Sequence, residues 1–174
     1  KNNSFIDSKK TLDSKLLYHI DDSDIVISFA NRYKIDSTVN KKAKFINFHP
    51  GRLPYYKGSL STVNSMINCE ELVGGAWHYI ADKMDSGNIL YDFEFKIKDS
   101  DTAFSLNHKI FDAGINALDS VIERVNFGIN GIKLADGGKF YYNKFPNIDN
   151  LSKDLQNRIN YFPPNFKLEE KTKW

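Results

Sequence analysis

The chain has 174 residues, of which 41% are hydrophobic and 26% are charged, and its formal net charge is +2. This composition can bury a core, which argues against wholesale disorder, and the basic excess is too small for a dedicated nucleic-acid binder. One cysteine, Cys69, excludes an internal disulfide framework and a cysteine-based zinc cluster. No apolar run approaches the roughly 20 residues that span a bilayer, and the polar start is unlike a signal peptide. We therefore expect a soluble, reduced, cytoplasmic protein.

Apolar patterns in the first part of the chain predict alternating helices and strands. Residues 11–20 have the spacing of an amphipathic helix. Two short apolar runs, at 25–29 and 45–48, predict strands that are buried on both faces, as in a parallel sheet. Residues 35–39 between them predict a short helical turn. This order of elements is typical of an α/β fold.

The sequence next predicts a loop, a helix and a strand, in that order. Residues 50–58 carry two prolines and two glycines and predict a loop, which a helix at 59–67 follows. A strand is predicted at 72–80. Gly74 and Gly75 interrupt it, which indicates a bulge or a close approach of another backbone.

A strand and one long helix are predicted next. Residues 89–98 alternate between polar and apolar side chains, which is typical of a half-exposed strand. A helix is predicted at 102–125, with Ser100 or Asp101 as its N-cap and Gly128 as its stop.

The character of the sequence changes after Gly128. Glycines then punctuate short strand-like pieces such as 139–142, and residues 151–161 predict one more helix, ended by two prolines. We therefore divide the chain into a main domain at 1–128 and a C-terminal extension with short strands and a helix at 129–174.

Polar residues at the end of an apolar strand point to chemistry. Asn47 interrupts the strand at 45–48 and His49 follows it, so both lie on one side, at the carboxyl end where α/β folds collect catalytic groups. An asparagine can donate to an oxyanion, and a histidine can act as a base or a donor. The acidic loop at 82–87 could bring a carboxylate to His49.

Purely structural roles for these residues stay open at this point. A histidine before a proline can be a core residue, and an asparagine at a strand end can satisfy turn groups. The four histidines have no metal-ligand spacing, and no glycine-rich phosphate loop is present.

Two compound motifs resemble the signatures of the folate-dependent formyltransferases. Residues 47–58 fit the pattern Asn-x-His-Pro-x-x-Leu-Pro-x-Tyr-x-Gly, and residues 75–80 followed by 85–89 are similar to the second signature, which ends Asp-x-Gly-x-Ile. The separation of Asn47 from Asp85 is also similar to that of the family. The resemblance extends over about residues 12–125, and more loosely to 164.

The resemblance implies a Rossmann-like, mostly parallel sheet flanked by helices, with a small C-terminal extension. The family begins with βα units that residues 1–10 are too short to supply, so we expect these units to be missing here and one sheet edge to lack its neighbour. It also implies Asn47, His49 and Asp85 as catalytic residues, N10-formyltetrahydrofolate as co-substrate and no metal. The residues implied to contact the folate are Phe29, Arg32, Tyr33, Lys34, Ile80 and Asp82.

The segments at 77–78 and 157–164 most resemble the sugar-nucleotide N-formyltransferases. These enzymes formylate the amine of a nucleotide-linked amino deoxysugar in lipopolysaccharide and O-antigen biosynthesis. The resemblance implies a small-molecule partner, no nucleic acid and no membrane, and it allows a homodimer. Glycinamide ribonucleotide and methionyl-tRNA formyltransferases, and a non-catalytic folate-binding or oligomerisation fragment, are the alternatives. Candidate substrate-binding residues, chosen for stacking or for a diphosphate, are Tyr56, Lys57, Trp77, Tyr141 and Tyr142.

Overall fold

A computed structural model describes residues 20–29, 31, 35, 43–142 and 144–164. Apart from Ile20 and Ile35, the predicted helix at 11–20 and the predicted turn at 35–39 lie outside the described residues.

Six strands and four helices are seen in this part of the chain. The strands are β1 (Ile25–Phe29), β2 (Lys44–His49), β3 (Tyr56–Gly58), β4 (Leu72–Tyr79), β5 (Ile89–Lys96) and β6 (Lys139–Tyr141). The helices are α1 (Ser61–Ile67), α2 (Ala103–Asn116), α3 (Leu118–Asn126) and α4 (Lys153–Asn160). The alternation of strands and helices confirms the predicted α/β class.

The main sheet has the strand order β1-β2-β4-β5 and is mixed within the described residues. β1 and β2 are parallel, whereas β2 pairs antiparallel with β4, and β4 with β5. Residues 80–88, which join β4 to β5, are fewer than the dozen or so that a parallel crossover needs, so the chain turns straight back. β1 is an edge strand among the described residues, and its Ile27 and Phe29 are partly exposed rather than buried on both faces.

One face of this sheet carries the main core. Phe48 and Trp77 are directly opposite each other in the register and are 1% and 0% exposed. Their rings lie 5.2 Å apart, and the indole N–H of Trp77 donates to the carbonyl of Gly114 on α2 at 2.8 Å. This bond fixes α2 against the sheet.

The predicted close approach of another backbone is confirmed at Gly74, whereas the close neighbour of Gly75 is a side chain. A Cβ on Gly74 would lie 2.0 Å from the carbonyl oxygen of Phe93, and one on Gly75 would lie 2.9 Å from the ring of Phe48. The irregularity in the strand register falls later, between Trp77 and His78.

The long helix predicted at 102–125 is instead two helices, α2 and α3, which meet at Ala117. Helical hydrogen bonds continue across this residue, since Ala117 N donates to Ala113 O at 3.0 Å and Val121 N donates to Ala117 O at 3.1 Å. The predicted N-cap was wrong: Thr102 is the cap, and it forms a capping box with Ser105.

The loop predicted at 50–58 contains a short strand that the sequence pattern did not reveal. β3 pairs in parallel with β6 to form a second sheet. Gly58 has φ +84°, and a Cβ there would lie 2.1 Å from the carbonyl oxygen of Tyr141, so the close pairing requires glycine.

The described residues after 128 pack onto the rest of the structure. β6 completes the small sheet, and Ile159 on α4 is 4% exposed within the main core. The guanidinium of Arg158 donates to the carbonyls of Asp101 and Lys98 at 2.8 and 2.9 Å. The boundary predicted at 128/129 therefore separates two stretches that share one core. None of the described helices is both long enough and apolar enough to cross a membrane.

We predict that Gly114→Ala destabilises the protein, although alanine is the better helix former. A Cβ at this position would lie 2.4 Å from the ring of Phe48, and such overpacking costs about 1–3 kcal/mol. Urea unfolding followed by circular dichroism measures the change. Asn116→Ala, at an exposed position of the same helix, is the control and should be neutral or slightly stabilising. A Gly114→Ala variant as stable as the original chain would contradict the packing described.

Candidate active site

The polar face of the sheet carries a cluster of four side chains from three chain segments. Asn47 and His49 come from the end of β2, His78 lies opposite Asn47 on β4, and Asp85 follows in the loop after β4. The two histidines are 3% and 2% exposed, and Asp85 is 7% exposed. Three polar groups predicted from two separate motifs are thus brought together in a buried site.

Asp85 is held in place by its backbone and by an amide. Its φ of +53° lies in the left-handed region, and its Oδ2 accepts a hydrogen bond from the backbone N–H of Gly58 at 2.7 Å. The loop turns tightly here, because a Cβ on Gly87 would lie 1.7 Å from the carbonyl oxygen of Tyr79. The carboxylate is therefore aimed at the two histidines by the fold itself.

His49 faces hydrogen-bond acceptors on both sides of its ring. Nε2 lies 2.6 Å from the carbonyl oxygen of Tyr56, and Nδ1 lies 3.5 Å from Oδ2 of Asp85. The backbone at Gly51 passes so close that a Cβ there would lie 2.6 Å from Nε2. The ring can therefore carry a proton on the nitrogen that faces either acceptor.

The amide of Asn47 is clamped at both ends. The hydroxyl of Ser28 donates to its Oδ1 at 2.8 Å, and its Nδ2 lies 3.2 Å from Nε2 of His78. Among the described residues this leaves the second N–H of the amide available for a ligand.

The environment of His78 favours its neutral form. Burial lowers the pKa of His78, and nearby His49 lowers it further, while the bond to the Tyr79 carbonyl and the charge of Asp85 oppose this. Nδ1 lies 2.7 Å from that carbonyl oxygen, which can only accept, so the neutral ring carries its proton on Nδ1. Nε2 is then an acceptor for the Asn47 amide.

Sequence reasoning assigned no role to His78 or Ser28. The signal for His78 was a polar residue inside the apolar strand β4, the same signal that singled out Asn47. Ser28 stands directly beside Asn47 in the parallel register, which the sequence of either strand alone does not show.

The structure describes three of the six residues predicted to contact the folate. Arg32, Tyr33 and Lys34 lie outside the described residues. Phe29 stacks on Phe48 with ring centroids 5.0 Å apart and keeps 37% of its surface exposed. Ile80 and Asp82 follow β4 in the chain. The backbone N–H of Ile80 donates to the carbonyl oxygen of Phe45 at 2.9 Å, and Asp82 is exposed.

Two predicted substrate contacts are corrected by the structure. Trp77 is fully buried on the core face, and its indole N–H is bonded to Gly114, so it faces no ligand. The ring of Tyr56 is 3% exposed and its hydroxyl donates to Glu70 at 2.8 Å. Burial and the neighbouring Glu70 raise the pKa of Tyr56 to about 12, so this hydroxyl stays protonated.

The other three substrate candidates are more accessible. Lys57 donates its ammonium to the carbonyl of Gly137 at 2.9 Å, Tyr141 stacks on Tyr56 at 5.4 Å, and Tyr142 is 78% exposed. In the part of the chain that the structure describes, no three His, Cys, Asp or Glu side chains are arranged to hold a metal ion.

Comparison with known proteins gives one family. The model of the family described as "Formyl transferase" matches residues 34–122. A GDP-perosamine N-formyltransferase from Brucella melitensis is 32% identical over 127 residues, which are 72% of this chain and 49% of that protein. A methionyl-tRNA formyltransferase from Borreliella afzelii is 32% identical over 125 residues, which are 68% of this chain and 40% of that protein.

Solved structures give the same fold. A sugar 3N-formyl transferase, determined in the presence of dTDP and 5-N-formyl-THF, superimposes with a TM-score of 0.65 at 25% identity. The match covers 71% of this chain and 46% of that one. The chain thus spans about half the length of the relatives it matches.

We predict that the free energy of unfolding decreases as the pH falls below 6.5, the ordinary pKa of histidine. His78 has a lower pKa in the folded chain, so the unfolded chain takes up a proton first, and the loss is at most about 1.4 kcal/mol per pH unit. Urea unfolding across this range should give a shallower decrease for His78→Gln. Asn116→Ala, which removes no titratable group, should keep the original slope. Equal slopes in all three proteins would refute a neutral, buried His78.

Proposed function

Because the chain belongs to the formyl transferase family, we propose that it carries the catalytic site of a sugar-nucleotide N-formyltransferase. The reaction moves a formyl group from N10-formyltetrahydrofolate to the amine of a nucleotide-linked amino deoxysugar, in the cytoplasm. The observation that carries this proposal is a buried network in which Asn47 contacts His78, and Asp85 lies close to both His78 and His49. The GDP-perosamine N-formyltransferase and the sugar 3N-formyl transferase support the choice of an amino sugar.

The geometry fits an attack of the amine on the formyl carbon. The attack converts the formyl oxygen into an oxyanion, which the free N–H of Asn47 stabilises by hydrogen bonding. The N–H on Nε2 of His49 leaves the carbonyl oxygen of Tyr56 and donates to the oxyanion instead. Asp85 orients His49 and takes the proton of the attacking amine, directly or through a water. That proton then passes to N10 of the folate, directly or through a water, so the tetrahydrofolate amine leaves with it as the carbonyl re-forms. No covalent enzyme intermediate is needed.

The remaining candidates have proposed binding roles. For the folate these are Phe29, Arg32, Tyr33, Lys34, Ile80 and Asp82. For the nucleotide sugar they are Lys57, which suits a diphosphate, and the aromatic residues Tyr141 and Tyr142. The reaction needs no metal, and a homodimer is compatible with it.

Methionyl-tRNA is the alternative amine, because a methionyl-tRNA formyltransferase is as similar in identity as the sugar enzyme. The net charge of +2 favours the small-molecule substrate, since polyanionic tRNA attracts a larger basic excess.

An amine panel tests the choice. The protein is incubated with N10-formyltetrahydrofolate and GDP-, dTDP- or UDP-linked sugars that carry an amine at C3 or C4, or with glycinamide ribonucleotide or methionyl-tRNA. Formylation is followed by mass spectrometry. Turnover of a sugar amine supports the proposal, turnover of tRNA alone replaces it with the alternative, and folate binding without any turnover indicates a non-catalytic module.

We predict that Asn47→Ala and Asp85→Asn each lower kcat by about 10²–10³-fold, the usual effect of losing one donor to an oxyanion or its support. Asparagine tolerates the left-handed backbone of position 85 and can still accept from Gly58, so Asp85→Asn should remain folded. Steady-state kinetics measure the loss. Asp92→Asn, an exposed carboxylate on β5, is the matched control and should turn over like the original chain. Full activity of Asp85→Asn would refute the assignment.

A further inference from the structure

We infer that His78 is a positioning residue, which holds the amide of Asn47 so that an N–H, and not the carbonyl oxygen, faces the reacting group. The inference rests on the proposed formyl transfer and adds a residue to its machinery. His78 does not touch the substrate in this scheme. It acts through the contact between its Nε2 and Nδ2 of Asn47, at 3.2 Å.

The carbonyl of Tyr79 determines which atoms donate and which accept in the hydrogen bonds that connect it, through His78 and Asn47, to Ser28. The carbonyl of Tyr79 can only accept, so Nδ1 of His78 carries the proton and Nε2 is left as an acceptor. An acceptor at Nε2 selects the amide orientation of Asn47 in which Nδ2 faces it. The amide oxygen then faces Ser28, whose hydroxyl donates at 2.8 Å. The second N–H of Asn47 is the group left over for the substrate.

The groups that surround His78 show why its neutral state matters. β2 contributes Asn47 and His49, and the loop after β4 contributes Asp85, whose Oδ1 lies 3.7 Å from Nε2. A proton on Nε2 would set an N–H against the N–H of Asn47 and would favour Asp85 as the partner instead. Asn47 would lose its acceptor and Asp85 would be drawn away from His49.

Two substitutions separate this role from a purely structural one. Glutamine places its amide oxygen near the position of Nε2, whereas asparagine reaches only the position of Nδ1. His78→Gln should keep kcat within about fivefold of the original, because it still accepts from Asn47. His78→Asn should lower kcat about 10- to 100-fold, below the loss expected from removing the Asn47 donor itself. KM should change little in either variant.

The outcomes test the positioning role of His78 separately from the proposed formyl transfer. Thermal unfolding of both variants monitors stability, since both replace a buried ring by an amide. Equal kcat losses in His78→Gln and His78→Asn, in an otherwise active protein, would overturn the positioning role and leave the proposed function intact. An original chain that formylates no amine in the panel would overturn the proposed function.

A spectroscopic measurement decides the positioning geometry without turnover. Long-range proton–nitrogen correlation spectra of protein labelled with ¹⁵N-histidine identify which ring nitrogen carries the proton. We expect a neutral His78 with its proton on Nδ1 at neutral pH. A proton on Nε2, or a charged ring, would overturn the inference whatever the activity of the protein.

Discussion

The antiparallel register between β2 and β4 is the constraint on which the site depends. It sets Asn47 opposite His78 and Phe48 opposite Trp77. Since side chains alternate across a strand, one pairing places a polar couple on one face and an aromatic couple on the other. A slip of β4 by one residue would turn His78 into the core and Trp77 towards the site. The same register therefore determines both stability and chemistry.

The core face and the site face are consequently linked. Phe48 separates Asn47 from His49 along β2, and its ring fills the space that Gly75 and Gly114 leave open. Packing of this density resists displacement, because any shift creates voids or overlaps. The spacing between the amide of Asn47 and the ring of His49 is therefore inherited from the aromatic core beneath them.

Much of the fold and the site could be predicted from local patterns. Alternation along one strand was enough to place Asn47 and His49 together, and the two motifs identified Asp85. Non-local pairing was not accessible: His78 lies opposite Asn47 only in the folded register. Trp77 was assigned to the substrate as an aromatic ring that could stack on it, whereas strand parity turns this side chain to the core. β3 was hidden because its partner lies about 80 residues further along the chain.

The small sheet of β3 and β6 has a consequence for the readiness of the site. β3 supplies the carbonyl of Tyr56 that meets His49 and the N–H of Gly58 that meets Asp85. Alone, three residues after a proline-rich turn would sample many conformations, and a ligand would have to remove that entropy on binding. Pairing with β6 removes it during folding instead. The C-terminal stretch thus contributes to preorganisation of the candidate site through β3, so the geometry of that site depends on the ordering of a segment far away in the sequence.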